Sequence, residues 1–130
     1  MRRNPIMAVS LFVLMASMSA RAHHSFSSVF DGKKPITLTG PVTKIEWANP
    51  HIHLYIDVKD ETGNVINWAI EMGSPNFLIR LGWTRDAMKI GDVVTIEGHL
   101  ARDGSRLANA RTVVIAGKKM FAASSQSNTP

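Results

Sequence analysis

Downstream of residue 35 the chain is patterned with period two. Ile52, Leu54, Ile56 and Val58 share one parity, and His51, His53, Tyr55 and Asp57 share the other. That alternation predicts a half-buried strand over 51–59. Ile66, Trp68, Ile70 and Met72 repeat it over 65–72. Between the two lies Asp60-Glu61-Thr62-Gly63-Asn64, whose Gly63 or Asn64 can take positive φ, so the pair predicts a hairpin. Upstream, Ile36, Leu38 and Val42 fall on one parity and Ile45 and Trp47 on the other. A strand over 36–47 is expected, with a bulge or sharp bend near Thr43-Lys44 where the parity switches, and a break at Asn49-Pro50. Val94, Ile96 and Leu100 point one way and Thr95, Glu97 and His99 the other, predicting a strand over 93–101. Asp103-Gly104 marks a second hairpin, and a fifth strand follows over 107–116.

One segment changes period. Ser74 is placed to cap a helix, Pro75 suits its first position, and Gly82 suits its end. Phe77, Leu78 and Leu81 give this helix, near 75–81, an apolar stripe. A second short turn is expected from Thr84 to Gly91-Asp92. The resulting order is three strands, a helix, then two strands. This is the order of an OB-like barrel, in which a helix between strands 3 and 4 plugs one end and a long bent first strand serves both sides. The expected fold is therefore mainly β, a five-stranded OB-like barrel with one short helix. The rival is an open five-stranded sheet with a helix on one face.

The first 22 residues follow no such pattern. Arg2 and Arg3 precede an apolar run from Ile6 to Ala16, broken only by Ser10, and Ala20-Arg21-Ala22 supplies small residues at the positions a signal peptidase reads. The run is too short to span a bilayer. The expected organisation is a signal peptide over 1–22, an N-terminal segment over 23–35, the barrel over 36–117 and a flexible tail over 118–130. Export to the periplasm follows, with no stable membrane insertion after cleavage.

Cleavage changes the charge. The whole chain carries a formal +5. Removing Arg2, Arg3 and Arg21 leaves twelve basic residues against ten acidic ones, a charge of +2. Much of the basicity is thus addressing, which weakens the argument from pI for a nucleic-acid partner, and none is expected. With no cysteine, no disulfide supports the fold, and an apolar core must hold it.

No catalytic set is visible. No serine sits in a Gly-x-Ser-x-Gly turn and no Gly-rich phosphate loop occurs. Glu46, Glu71 and Glu97 lie on different strands, where carboxylates usually form a solvated face. A binding protein is therefore expected rather than an enzyme. Histidine is the main chemical lead. Cleavage after Ala22 would make His23 the N-terminus, so its α-amine and imidazole could chelate one metal together, with His24 or His51 adding a nitrogen. Nitrogen donors of this kind suit copper, and also zinc. His51 and His53 share one strand face. The same histidines also read as solvated linker residues, a turn cap and cross-strand hydrogen-bond partners.

Aromatic residues are the second lead. Trp47, Tyr55 and Trp83 could supply a stacking surface, with Lys44, Lys59 and Arg85 beside it, as the binding face of an OB-like domain requires. Trp68 reads as core from its parity with Ile66 and Ile70. An oligosaccharide-binding or protein-interaction module of the cell envelope, without metal, is the alternative to metal binding.

Several short stretches occur together: Ala22-His23-His24-Ser25-Phe26, Glu46-Trp47-Ala48-Asn49-Pro50-His51, Gly73-Ser74-Pro75-Asn76, Gly82-Trp83-Thr84-Arg85-Asp86 and Ala101-Arg102-Asp103-Gly104-Ser105. In these the chain resembles a family of exported bacterial proteins catalogued as domain of unknown function 6152. The resemblance covers nearly all of the chain after residue 22. It implies export and a small β-barrel-like domain, and it implies no activity. It singles out His23, His24, Asn49, His51, Trp83 and Arg85. His53 lies outside the resemblance.

Overall fold

The computed structural model describes residues 26–123. The proposed signal peptide, His23, His24 and the last seven residues lie outside that range.

Among the described residues, six strands and one short helix follow a helical stretch at 26–29. They are β1 Phe30–Glu46, β2 His53–Lys59, β3 Val65–Glu71, α1 Pro75–Arg80, β4 Val93–Ala101, β5 Leu107–Ile115 and β6 Lys118–Phe121. The sheet order is β3-β2-β1-β4-β5-β6. Neighbours in that order run antiparallel, and β5 also returns to β3 in a short parallel pairing through Ala69↔Leu107, Ile70↔Ala108 and Glu71↔Asn109. Five strands thus make a partial ring, and β6 lies along the part of β5 that β3 leaves free.

The predicted alternation sets the inside. Ile52, Leu54, Ile56, Ile70, Val94, Ile96 and Val113 are fully buried, and Trp68 and Met72 nearly so. Burying a side chain of this size contributes about 1.5–3 kcal/mol, so the apolar parity supplies what disulfides do not. The predicted bend is present as a register shift between Val42 and Lys44. The helix between β3 and β4 is also as expected. Ser74 Oγ accepts from Phe77 N–H at 3.3 Å, Pro75 occupies the first turn, and Gly82 takes φ 97°.

Two boundaries differ from the sequence reading. β1 starts at Phe30, not 36, although Asp31-Gly32-Lys33-Lys34-Pro35 looks like a loop. Phe30 is 2 % exposed and pairs with Ala101, and a register irregularity before Pro35 absorbs the residue that cannot donate to the ladder. The expected flexible tail over 118–130 differs in its first residues, and 124–130 lie outside the described range. Ala116 at φ 49° and Gly117 at φ 79° reverse the chain tightly, and 118–121 become β6. Both turn positions have positive φ, the condition for a two-residue hairpin. Ala116 hides the signal because alanine is not a usual residue there.

The two ends of the described segment meet at one place. Residues 26–29 are helical. They are tied to the β4–β5 hairpin by Arg102 N–H to the Val29 carbonyl at 2.8 Å and Arg102 Nε to the Ser27 carbonyl at 2.5 Å. Beyond β6, Gly73 N–H donates to the Ala122 carbonyl at 2.7 Å, and Ala122 N–H donates to the Arg111 carbonyl. Phe26 and Ala123 consequently line one shallow pocket, beside Glu71 and Asn109.

Candidate functional site

The closure of the ring positions a polar row on its outer face. In register, Glu46 lies opposite His53, His53 opposite Glu71, Glu71 opposite Asn109 and Asn109 opposite His99. Each residue has the parity opposite to the core, so the same alternation that buries Leu54 and Ile70 turns these side chains outward.

Two imidazoles flank one carboxylate in this row. Glu71 Oε1 is 3.8 Å from His51 Nδ1, and Oε2 is 3.8 Å from His53 Nε2. Both separations exceed hydrogen-bond length. His51 is oriented by its backbone neighbour instead, since Nδ1 lies 3.0 Å from the Met72 carbonyl. A carbonyl can only accept, so Nδ1 is the donor in this contact. Metal-binding histidines are commonly held in this way. Among the described residues, no three His, Asp or Glu side chains are grouped to hold a metal ion.

The neighbouring row holds Tyr55. Its hydroxyl donates to Glu46 Oε2 at 3.2 Å, and the Lys44 ammonium lies 5.1 Å from its ring centroid. Lys44 Nζ contacts Glu46 Oε1 at 2.5 Å. This ammonium, helped by the Tyr55 hydroxyl, holds the Glu46 carboxyl below its ordinary pKa, and Glu46 in turn raises Lys44. At the other end of the polar row, His99 Nδ1 is buried with no hydrogen-bond partner among the described residues, and its ring meets Phe26 edge-on at 6.2 Å.

The anticipated aromatic platform is not assembled. Trp83 is 2 % exposed, and its Nε1 donates to the Phe121 carbonyl at 2.7 Å, so it belongs to the core. Trp47 is partly buried against the core, while Tyr55 stands on the outer face. Asn49 and Arg85 are exposed. Of the candidate metal ligands, His51 lies beside Glu71, and His23 and His24 fall outside the described residues.

Glu71, Asn109 and Phe26 were not singled out as site residues. Glu71 was legible in principle, because counting outward from the Asp60–Asn64 turn sets it opposite His53. Asn109 was not, since its place depends on the parallel β3–β5 pairing.

No curated protein matches this chain. A family model described as "Family of unknown function (DUF6152)" matches residues 10–110, from within the proposed signal peptide to the middle of β5. The chain belongs to the DUF6152 family.

Proposed function

We propose that this chain is a periplasmic binding or accessory protein, exported by a signal peptide cleaved after Ala22, with an OB-like barrel as its scaffold. Its role is binding rather than catalysis. Its ligand is a divalent transition metal, copper ahead of zinc, held by His23, His24 and His51, with His53 and Glu71 alongside.

One observation carries this reading. Phe26 lines the same pocket as Glu71, and Glu71 stands between His51 and His53. His24 and His23 are two and three residues upstream of Phe26. A chain reaches at most about 3.3–3.6 Å per residue, so two or three residues span no more than about 7–11 Å. The imidazole of His51 and the amine and imidazole of a processed His23 are the nitrogen set that copper favours. Tethering them lowers the entropic cost of assembling the site.

Calorimetry with Cu(II) on three proteins tests this: the form starting at His23, the same form with one added Gly, and His51→Ala. The added Gly removes the α-amine from the chelate while leaving every side chain in place. Weaker binding in both altered proteins is expected, with affinity falling as pH drops because protons compete for the same nitrogens. Equal affinity in the native and Gly-extended forms would refute the N-terminal chelate.

A second reading rests on β6. This strand pairs with β5 on one side, and Phe121 on it is 59 % exposed. An exposed strand edge can accept another protein's strand. Copper-free protein that still assembles with an envelope partner, and loses it on Phe121→Asp, would favour this alternative.

A further inference from the structure

Residues 26–29 form a single helical turn whose first ring, Phe26, lies against His99. The turn is attached at few points. Phe26 is half-buried, with its ring 5.5 Å from that of Phe30, while Ser27, Ser28 and Val29 are exposed. Arg102 ties the turn down. Its backbone N–H donates to the Val29 carbonyl, its Nε donates to the Ser27 carbonyl, and its guanidinium lies 3.7 Å from the Asp31 carboxylate just downstream. Phe30, buried and paired with Ala101, is the fixed point at the base.

What the turn covers is incomplete. Among the described residues, His99 Nδ1 is the only side-chain polar atom that is fully buried and without a hydrogen-bond partner. The His99 N–H is satisfied by Asn109 Oδ1 at 2.8 Å, so the deficit belongs to the ring. On β1 the residue opposite His99 is Pro35, which has no N–H to offer. A buried polar atom without a partner carries a cost, and water would remove it if the turn lifted. One helical turn is also too short to be stable by itself. Closure is therefore held by the Phe26 ring and the Arg102 contacts, against the deficit at His99. Segments with so few buried contacts open locally, well below the cost of global unfolding.

We propose that residues 26–29 are a strap that opens as a unit about Phe30, with Arg102 as its latch, and that opening uncovers His99 Nδ1. Closed, the strap denies that nitrogen any partner. Open, it leaves the nitrogen facing solvent beside Asn109, free to take a hydrogen-bond partner or a metal ion. The strap is thus an autoinhibitory cover on an outer-face histidine. It does not depend on the metal reading.

Native-state hydrogen exchange, read by NMR on the protein starting at His23 with a chelator present, tests this. The reporter is the amide of residue 102, which donates to the strap at Val29; the control is the Met72 amide, which donates to the Ile52 carbonyl in the core. Protection at 102 should be at least about tenfold below that at Met72, because the strap opens without global unfolding. Arg102→Gln leaves the backbone donor in place and should lower protection at 102 by a further factor of about ten, since the charge-assisted bond to Ser27 is lost. In that variant the His99 ring-nitrogen signals should move towards those of a free imidazole, as Nδ1 gains water. His99→Phe keeps a ring without the nitrogen and should raise protection at 102 by at least about threefold. Unchanged protection at Met72 checks that each variant keeps its core. Equal protection at 102 and Met72 in the parent would overturn the proposal. So would unchanged exchange or unchanged His99 signals in Arg102→Gln, or protection in His99→Phe that stays level or falls.

Discussion

At the scale of single residues, Gly98 and Trp83 carry the clearest consequences. A Cβ placed on Gly98 would lie 1.6 Å from the Asn109 carbonyl oxygen and 2.8 Å from its carbon. Those are backbone atoms of the neighbouring strand and cannot swing aside. Gly98→Ala should therefore destabilise by about 3 kcal/mol or more, beyond ordinary overpacking. A urea midpoint within error of the parent would show that β4 and β5 do not approach so closely. Trp83→Phe keeps a ring but orphans the Phe121 carbonyl, and should cost about 1–3 kcal/mol. Trp83→Ala should cost about 3–5 kcal/mol. The two buried tryptophans differ in how readable they were. Trp68 sits in an alternating strand, so parity alone placed it inside, and it is 6 % exposed. Trp83 lies between α1 and a run of turns, where no period exists. Its burial depends on a carbonyl 38 positions along the chain.

Elements governed by local period were legible: β2, β3, the Ser74-capped helix and the bend in β1. Those that depend on distant pairing were not. β1 gains its first residues from pairing with β4, and β6 exists because β3 leaves half of β5 uncovered. The polar row divides the same way. His53 opposite Glu71 follows from a local hairpin, whereas Asn109 beside Glu71 requires a strand 38 residues later in the chain. The Ala116-Gly117 turn that launches β6 offers a direct check. Ala116 takes φ 49°, a conformation asparagine tolerates better than alanine. Ala116→Asn should stabilise by about 0.5–1 kcal/mol, seen as a rise of a few degrees in Tm. A fall in Tm would argue against that turn.

Across the whole molecule, the folded state lowers the pKa of carboxylates at several separate places. Lys44 lowers Glu46, Lys119 with the Thr112 hydroxyl lowers Glu97, and the Thr62 hydroxyl with nearby N–H groups lowers Asp60. The Lys33 N–H lowers Asp31, and the Ser105 hydroxyl and N–H lower Asp103. Each binds its proton less readily folded than unfolded. Their stabilisation is therefore complete above the ordinary values of 3.8 for Asp and 4.5 for Glu, and is lost as pH falls through the lower folded values. The Tm should be insensitive to these groups between pH 7 and about pH 5, then decline steadily under acid. Salt should soften the Glu97–Lys119 part, because both side chains are solvent-exposed. A Tm that rises on acidification below pH 4 would contradict this arrangement.

The meeting of Phe26 and Ala123 at one pocket makes the domain nearly circular. A short linker could join those ends, and the Asp60–Asn64 turn offers a place to cut the chain anew. That turn closes the far end of the β2–β3 ladder from His53 and Glu71, about 20 Å away at strand rise. Exposed turns of this kind tolerate new termini best. Such a permutant would keep Phe26 and Ala123 together at the pocket. An affinity tag fused directly next to Phe26 or Ala123, by contrast, would sit beside that pocket. Handles for immobilisation or fluorescence therefore belong at the Asp60–Asn64 turn.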